Sequence, residues 1–202
     1  GEEVFSEHPM RPSVHAFWWP RFCRIAGWFV EYERARVNSV IKSFTEIQGS
    51  IKLETRNGPF ELTARADRID QLADGRLEII DYKTGSTPTK KQVQNGLSPQ
   101  LSLEALIASK DGFEGLKGQD SLRVVAFHYW KLGGGDPAGA VTSFDNLETL
   151  TEEALGGVQM LVEKFSDPAT AYEAIPVSSH KPQYNDYEHL ERILEWSGGI
   201  KK

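Results

Sequence analysis

Ala64-Arg65-Ala66-Asp67-Arg68-Ile69-Asp70, a turn through Ala73-Asp74-Gly75, and then Leu77-Glu78-Ile79-Ile80-Asp81-Tyr82-Lys83-Thr84-Gly85 form the stretch on which the fold turns. Leu77 to Ile80 is short, apolar and partly β-branched, as a buried strand is, and it ends abruptly in Asp81 and Lys83. Charges at the end of such a strand seldom serve packing. Side chains two apart on a strand share a face, so Asp81 and Lys83 are neighbours while Tyr82 points away.

Register then places a partner carboxylate. Phe60 to Ile69 reads as the preceding strand. With a two-residue loop, Asp74-Gly75, Asp67 falls opposite Tyr82 and on the wrong face. With a three-residue loop, Ala73-Asp74-Gly75 with Gly75 left-handed, Leu72 pairs with Arg76 and Asp67 lies opposite Asp81. Only the second register assembles a site, because directly opposite residues have Cβ atoms roughly 4.5–5.5 Å apart. Two carboxylates at that spacing repel unless they share a cation. Oxygen donors select Mg2+, with Mn2+ able to substitute, and Mg2+ usually combines one or two carboxylates with water and substrate phosphate. The expected substrate is therefore a phosphate ester and the expected reaction phosphodiester hydrolysis. Lys83 would orient or deprotonate the attacking water, or stabilise the charge that develops.

The pattern of a small residue, x, an apolar residue and Asp, then a strand ending Asp-Tyr-Lys-Thr-Gly, then a helix carrying Gln, resembles the PD-(D/E)xK nucleases and their RecB-like branch. Ala64-Arg65-Ala66-Asp67, Asp81-Tyr82-Lys83-Thr84-Gly85 and Pro99-Gln100-Leu101-Ser102-Leu103-Glu104 carry it in order. Within the branch the wording is similar to AddB-type C-terminal nuclease domains, and it extends into Trp18 to Tyr32 and Asp186 to Trp196. The resemblance implies an α/β restriction-endonuclease-like core, a mixed β-sheet flanked by helices. It implies Asp67, Asp81 and the Tyr82 carbonyl as metal ligands, Lys83 as the catalytic lysine and Gln100 as a contact to the site or phosphate. It further implies a DNA substrate, processing of double-strand breaks for recombinational repair, and an AddA-like helicase-nuclease subunit as partner.

Two departures stand out. Many RecB-like members have Tyr where Glu104 stands, one helical turn after Gln100; Glu104 either supports the site or is solvated. The family's upstream His or Glu ligand has no convincing match. Glu31 and Glu33 are candidate substitutes, although a solvated helix face explains each as well, and His8 and His15 read as surface residues. The chain begins with Gly1, and the expectation is a single domain over 1–202, excised from a longer protein without that upstream helix. Its parts would be N-terminal helices to residue 40, a catalytic core over 41–132, and C-terminal helices with an irregular tail over 133–202.

At 202 residues and 39% hydrophobic, the chain can bury one sizeable core. The net charge of −6 gives no global attraction to DNA, so contact must be local. Arg65, Arg68, Lys90 and Lys91 are the best local cations, the lysine pair serving equally well as an ordinary helix start. Cys23 is the single cysteine, which rules out a disulfide within the chain and the iron-sulfur cluster of Cas4-like and some AddB-type domains; buried packing is expected for it. No membrane-length apolar run and no signal peptide occur, so a cytoplasmic location is the default. No G-x-x-x-x-G-K-[ST] occurs, so no ATP site lies within these residues. A catalytically dead nuclease fold, kept for DNA binding or assembly, is the main rival; intact Asp67, Asp81, Lys83 and Gln100 oppose it.

Elsewhere, Ser13 to Trp19 and Arg21 to Val40 are expected as two helices separated at Pro20, followed by strands at Ile41–Ile47 and Ile51–Thr55. Loop and helix over Thr87 to Ser109, with the helix clearest from Ser98 onward, a strand from Leu122 to Leu132, a flexible glycine turn or loop at Gly133–Pro137 and a helix from Leu147 to Phe165 follow. Ala174 to Tyr184 looks irregular, and Asp186 to Trp196 reads as a terminal helix.

Overall fold

The computed structural model describes residues 3, 12–56, 58–116, 123–172 and 190; the expected segments Ala174–Tyr184 and Asp186–Trp196 lie outside them. The chain divides into two compact units, Gly1–Glu163 and Lys164–Lys202. Of the second, residues 164–172 carry the end of a helix and a stacked ring pair, Phe165 and Tyr172, 4.7 Å apart.

The first unit is built on a five-stranded sheet in the order β1 (Val40–Thr55), β2 (Gly58–Leu72), β3 (Leu77–Lys83), β4 (Val124–Leu132), β5 (Gly139–Phe144). β3 and β4 are parallel and every other neighbouring pair is antiparallel. The parallel pair needs a crossover. Its described helices are α2 (Lys90–Gln94), started by a Thr89–Gln92 capping box, and α3 (Gln100–Ser109). α1 (Pro12–Arg36) precedes the sheet, and α4 (Leu147–Phe165) follows it.

Alternation along the central strands separates two faces. Ile69, Leu77 and Ile79 pack with Leu101, Ala105 and Ala108 of α3, and Leu147 and Leu150 of α4 join this core. The intervening Asp70 and Glu78 face α1, whose Arg36 donates to both at 2.9 and 2.6 Å. This is the mixed sheet flanked by helices that the sequence led one to expect.

Several local expectations are corrected. α1 runs unbroken through Pro20. The proline removes one backbone bond, but the turns after it are anchored by Arg21 and Arg24, which donate to the Gly133 and Gly134 carbonyls. The two expected strands around Gly49 are one, because Gly49 marks a close approach rather than a break: it bridges Phe113, whose ring occupies the space a Cβ would need. Gly139–Phe144, unassigned from sequence, is an edge strand that gains its definition by pairing with β4. Cys23 is exposed rather than buried.

Candidate functional site

The β2–β3 connection is a three-residue loop. Gly75 has φ of +83°, and the Leu72 N–H donates to the Arg76 carbonyl at 2.8 Å. The ladder then runs from Gln71 opposite Leu77 to Arg68 opposite Ile80, one step short of pairing Asp67 with Asp81. The regular ladder ends there. The Asp67 carboxylate instead accepts the Tyr82 N–H at 2.9 Å.

A kink in β1 explains that departure. Thr45 pairs with Arg68 and Ile47 with Ala66, but Glu46 between them has φ of 55°, in the left-handed region where a non-glycine residue is strained. Core-facing positions change parity at this point: Phe44 then Ile47 on β1, Ala66 then Ile69 on β2. The local twist frees Asp67, opposite Glu46, to turn toward Tyr82. No simple alternation pattern could have located this kink.

Asp81 is only 1% exposed. Its Oδ1 accepts from Lys83 Nζ at 2.9 Å and Gln100 Nε2 at 2.7 Å, and Lys83 Nζ also lies 2.7 Å from Oδ2. Gln100 Nε2 donates in addition to Glu104 Oε1 at 3.1 Å, while Gln100 Oε1 accepts from Lys83 at 3.4 Å. The Gln100 amide is thus oriented by its neighbours: nitrogen toward two carboxylates, oxygen toward an ammonium. The C-terminal end of β3 and the first turn of α3 deliver these groups to one point, where ligand sites of α/β crossovers commonly form.

Burial pushes the Asp81 carboxyl above its ordinary range and the charge of Asp67 adds to this, against the Lys83 and Gln100 bonds. Glu104, 2% exposed, is pushed up to about 7, first by burial and then by Asp81 and Asp67, against the opposing Gln100 bond. Glu104 Oε2 and the Tyr129 hydroxyl are buried without a protein partner among the described residues. Carboxylates crowded against their own desolvation, beside orphaned oxygens, are the donor set that a hard cation with its waters satisfies. Among the described residues no three His, Cys, Asp or Glu side chains close a metal-binding cluster by themselves.

The remaining sequence candidates divide. The Tyr82 side chain points to the opposite face, toward Arg68 and Trp130, as alternation requires. Arg65 is exposed and paired with Glu46 at 2.8 Å. Lys90 and Lys91 are exposed on α2, with Lys90 over the Phe144 ring. Arg68, expected to meet nucleic acid, is 7% exposed and faces α1. It is held by Glu33 at 2.8 and 3.1 Å and by Asp70 at 2.6 Å, and stacks over Trp130. Being one residue from Asp67, it falls on the other face of β2, which removes it from any DNA surface; the same contact ties Glu33 into the α1 interface.

Comparison with known proteins matches this architecture. The family model of the PD-(D/E)XK nuclease superfamily covers residues 2–180. An uncharacterised protein of Rickettsia bellii is 26% identical over 184 residues, spanning 86% of this chain and 22% of its own length, and one of Rickettsia conorii is also 26% identical, over 81% of this chain and 21% of its length. The chain therefore spans about a fifth of the curated relatives it matches most extensively. Shorter stretches are similar to ATP-dependent helicase/deoxyribonuclease B subunits. The Streptococcus equi subsp. zooepidemicus protein is 53% identical over 53 residues, 26% of this chain and 5% of that one. The Clostridium perfringens protein is 43% identical over 81 residues, 37% and 7% respectively. With the family's motif residues gathered at one end of a mixed sheet and its model matched along most of the sequence, the chain belongs to the PD-(D/E)XK nuclease superfamily.

Proposed function

We propose that this chain is a Mg2+-dependent deoxyribonuclease domain, an exonuclease in which Mn2+ can replace Mg2+, and that it serves a bacterial helicase-nuclease assembly processing double-strand breaks for recombinational repair. The observation that carries the reading is the convergence of Asp67, Asp81, Lys83 and Gln100 on one point at the end of β3. Similarity to helicase/deoxyribonuclease B subunits supports an AddA-like partner and a cytoplasmic setting. Among the described residues no helix is long and apolar enough to cross a membrane.

Asp67, Asp81 and the Tyr82 carbonyl would hold the cation. When bound, it supplies charge neutralisation at the phosphoryl oxygens and a water acidic enough to attack at neutral pH. The protein groups have their own tasks. Lys83, fixed between Asp81 and Gln100 Oε1, presents an ammonium to the reacting phosphate and to the attacking water, where it offsets negative charge on the equatorial oxygens. Gln100 fixes Asp81 and Lys83 relative to each other, and Glu104 fixes the Gln100 amide.

Asp67→Ala, Asp81→Ala and Lys83→Ala should each lower cleavage of linear DNA by about 100-fold or more, with circular dichroism showing a folded protein. Near-wild-type cleavage by folded Asp81→Ala would overturn the assignment. A wild-type chain that binds DNA but cleaves none with either cation would instead be a binding or assembly module.

A further inference from the structure

Beyond Lys83 the chain leaves β3 through Thr84 and Gly85, and β4 runs parallel alongside in a register that sets Lys131 directly across from Lys83. Adjacent strands lie about 4.8 Å apart and residues in direct register point to the same face, so the two lysines are side by side. Lys131 is exposed and has no carboxylate partner among the described residues. Lys83 is already paired with Asp81, which leaves Lys131 as the unsatisfied cation of the two, and an anion beside it is attracted there.

The glycine segment after β4, expected to be a flexible turn, is a pinned wall. Arg21 Nε donates to the Gly133 carbonyl at 2.6 Å, Arg24 Nε to the Gly134 carbonyl at 2.7 Å, and the Gly134 N–H to the Ala138 carbonyl at 2.7 Å. Gly134, with φ of +64°, lies against Arg21 and Ile25, where a Cβ would overlap. Gly133 and Gly135 leave the backbone beside it free of side chains. Enclosed by these elements is a cavity of about 450 Å³, lined among others by Arg21, Thr84, Lys131, Gly133, Gly135 and Asp136. Among the described residues Asp136 is the one carboxylate of the lining, and no aromatic ring lines it. A cation, a hydroxyl and bare backbone suit a phosphodiester; the missing ring surface leaves a base nothing to stack on. The larger groove along β1 and β2 offers Arg65, Ser50 and Thr63 as well, but Arg65 is paired with Glu46 and the carboxylates of Glu61 and Glu114 line the groove, so no uncompensated cation faces a phosphate there.

We propose that this cavity is a cradle for the backbone of the DNA strand on one side of the phosphate at Lys83. Lys131 makes the direct phosphate contact and the arginine-pinned glycine loop forms the wall. Arg21 is committed to the Gly133 carbonyl and to the faces of Phe17 and Trp18, which leaves Lys131 as the cation for the ligand. The inference rests on the nuclease reading and adds the path of the strand to it.

The test uses the full chain, Lys131→Ala and Lys131→Arg, with a fluorescein-labelled single-stranded oligothymidylate in EDTA, followed by anisotropy across a KCl series. Loss of one phosphate contact should weaken binding about 5-fold near 0.1 M salt and make the log–log salt slope shallower by about 0.7, and Lys131→Arg should restore both. In the cleavage assay Lys131→Ala should raise KM more than it lowers kcat. Unchanged affinity and slope in Lys131→Ala, or no binding by wild type, overturns the cradle. The two readings fail separately: Lys131-dependent binding without any cleavage removes the nuclease and keeps the cradle, whereas normal cleavage with Lys131→Ala indistinguishable from wild type does the reverse.

Discussion

At the scale of single residues, Glu104 shows how a site costs stability. A carboxyl held at about 7 in the folded chain, against 4.5 as its ordinary value, keeps its proton in the native state while the unfolded state has already lost one. Stability must therefore fall as pH rises through the window from 4.5 to 7. Glu104→Gln removes that dependence and should be the more stable protein at neutral pH, by about 3 to 4 kcal/mol at most, since each tenfold change in proton affinity is worth roughly 1.4 kcal/mol. Thermal melts of both proteins from pH 4.5 to 7.5 measure the difference, and a constant gap across that range would contradict the buried, protonated Glu104. The identity of position 104 was legible in the sequence as a departure from the family pattern. Its burial was not, because that depends on α3 being enclosed by the sheet and the crowded carboxylates.

At the scale of elements, the contact between α1 and the sheet joins a buried ionic cluster to an aromatic seam in which Trp28, Phe29 and Tyr32 pack on Trp130. Asp70 accepts from Arg68, Arg36 and Ser43 at 2.6, 2.9 and 2.6 Å, and both arginines lie over Trp130 at 5.5 and 5.1 Å. His128 and Arg36 together hold Glu78 down at about 2. Breaking one partner of such a buried cluster leaves an uncompensated charge, so Arg68→Met should destabilise the fold by about 3–5 kcal/mol in urea unfolding. A loss under about 1 kcal/mol would mean that water replaces the guanidinium. Periodicity places Arg68 next to Asp67 in sequence but says nothing of which layer lies over each face. Its reassignment from DNA contact to interface residue had to come from α1.

For the whole molecule, the net charge of −6 means that DNA is held by a few cations rather than by an overall field. With Lys83, Lys131, Arg65 and the Lys90–Lys91 pair as the available contacts, binding of a single strand should involve about three or four phosphates, a log–log salt slope of about −2 to −3. A slope steeper than about −5, measured on the full chain by anisotropy, would point to a far larger basic surface.

The sequence by itself determined the β2–β3 pair and its function-bearing end. Strand period is two, so once Gly75 closes a three-residue loop the residues from Gln71 back to Arg68 have fixed partners and faces, and the shared face of Asp81 and Lys83 follows from counting. Gln100 came from resemblance, and the structure bonds it to Asp81 at 2.7 Å. Tertiary structure alone decided what counting cannot reach: the left-handed Glu46 that releases Asp67 from the ladder, the burial of Arg68 under α1, and the pairing of Lys131 with Lys83. Each depends on contact between segments far apart in the chain, and local period fixes a residue's face while leaving open which element covers it.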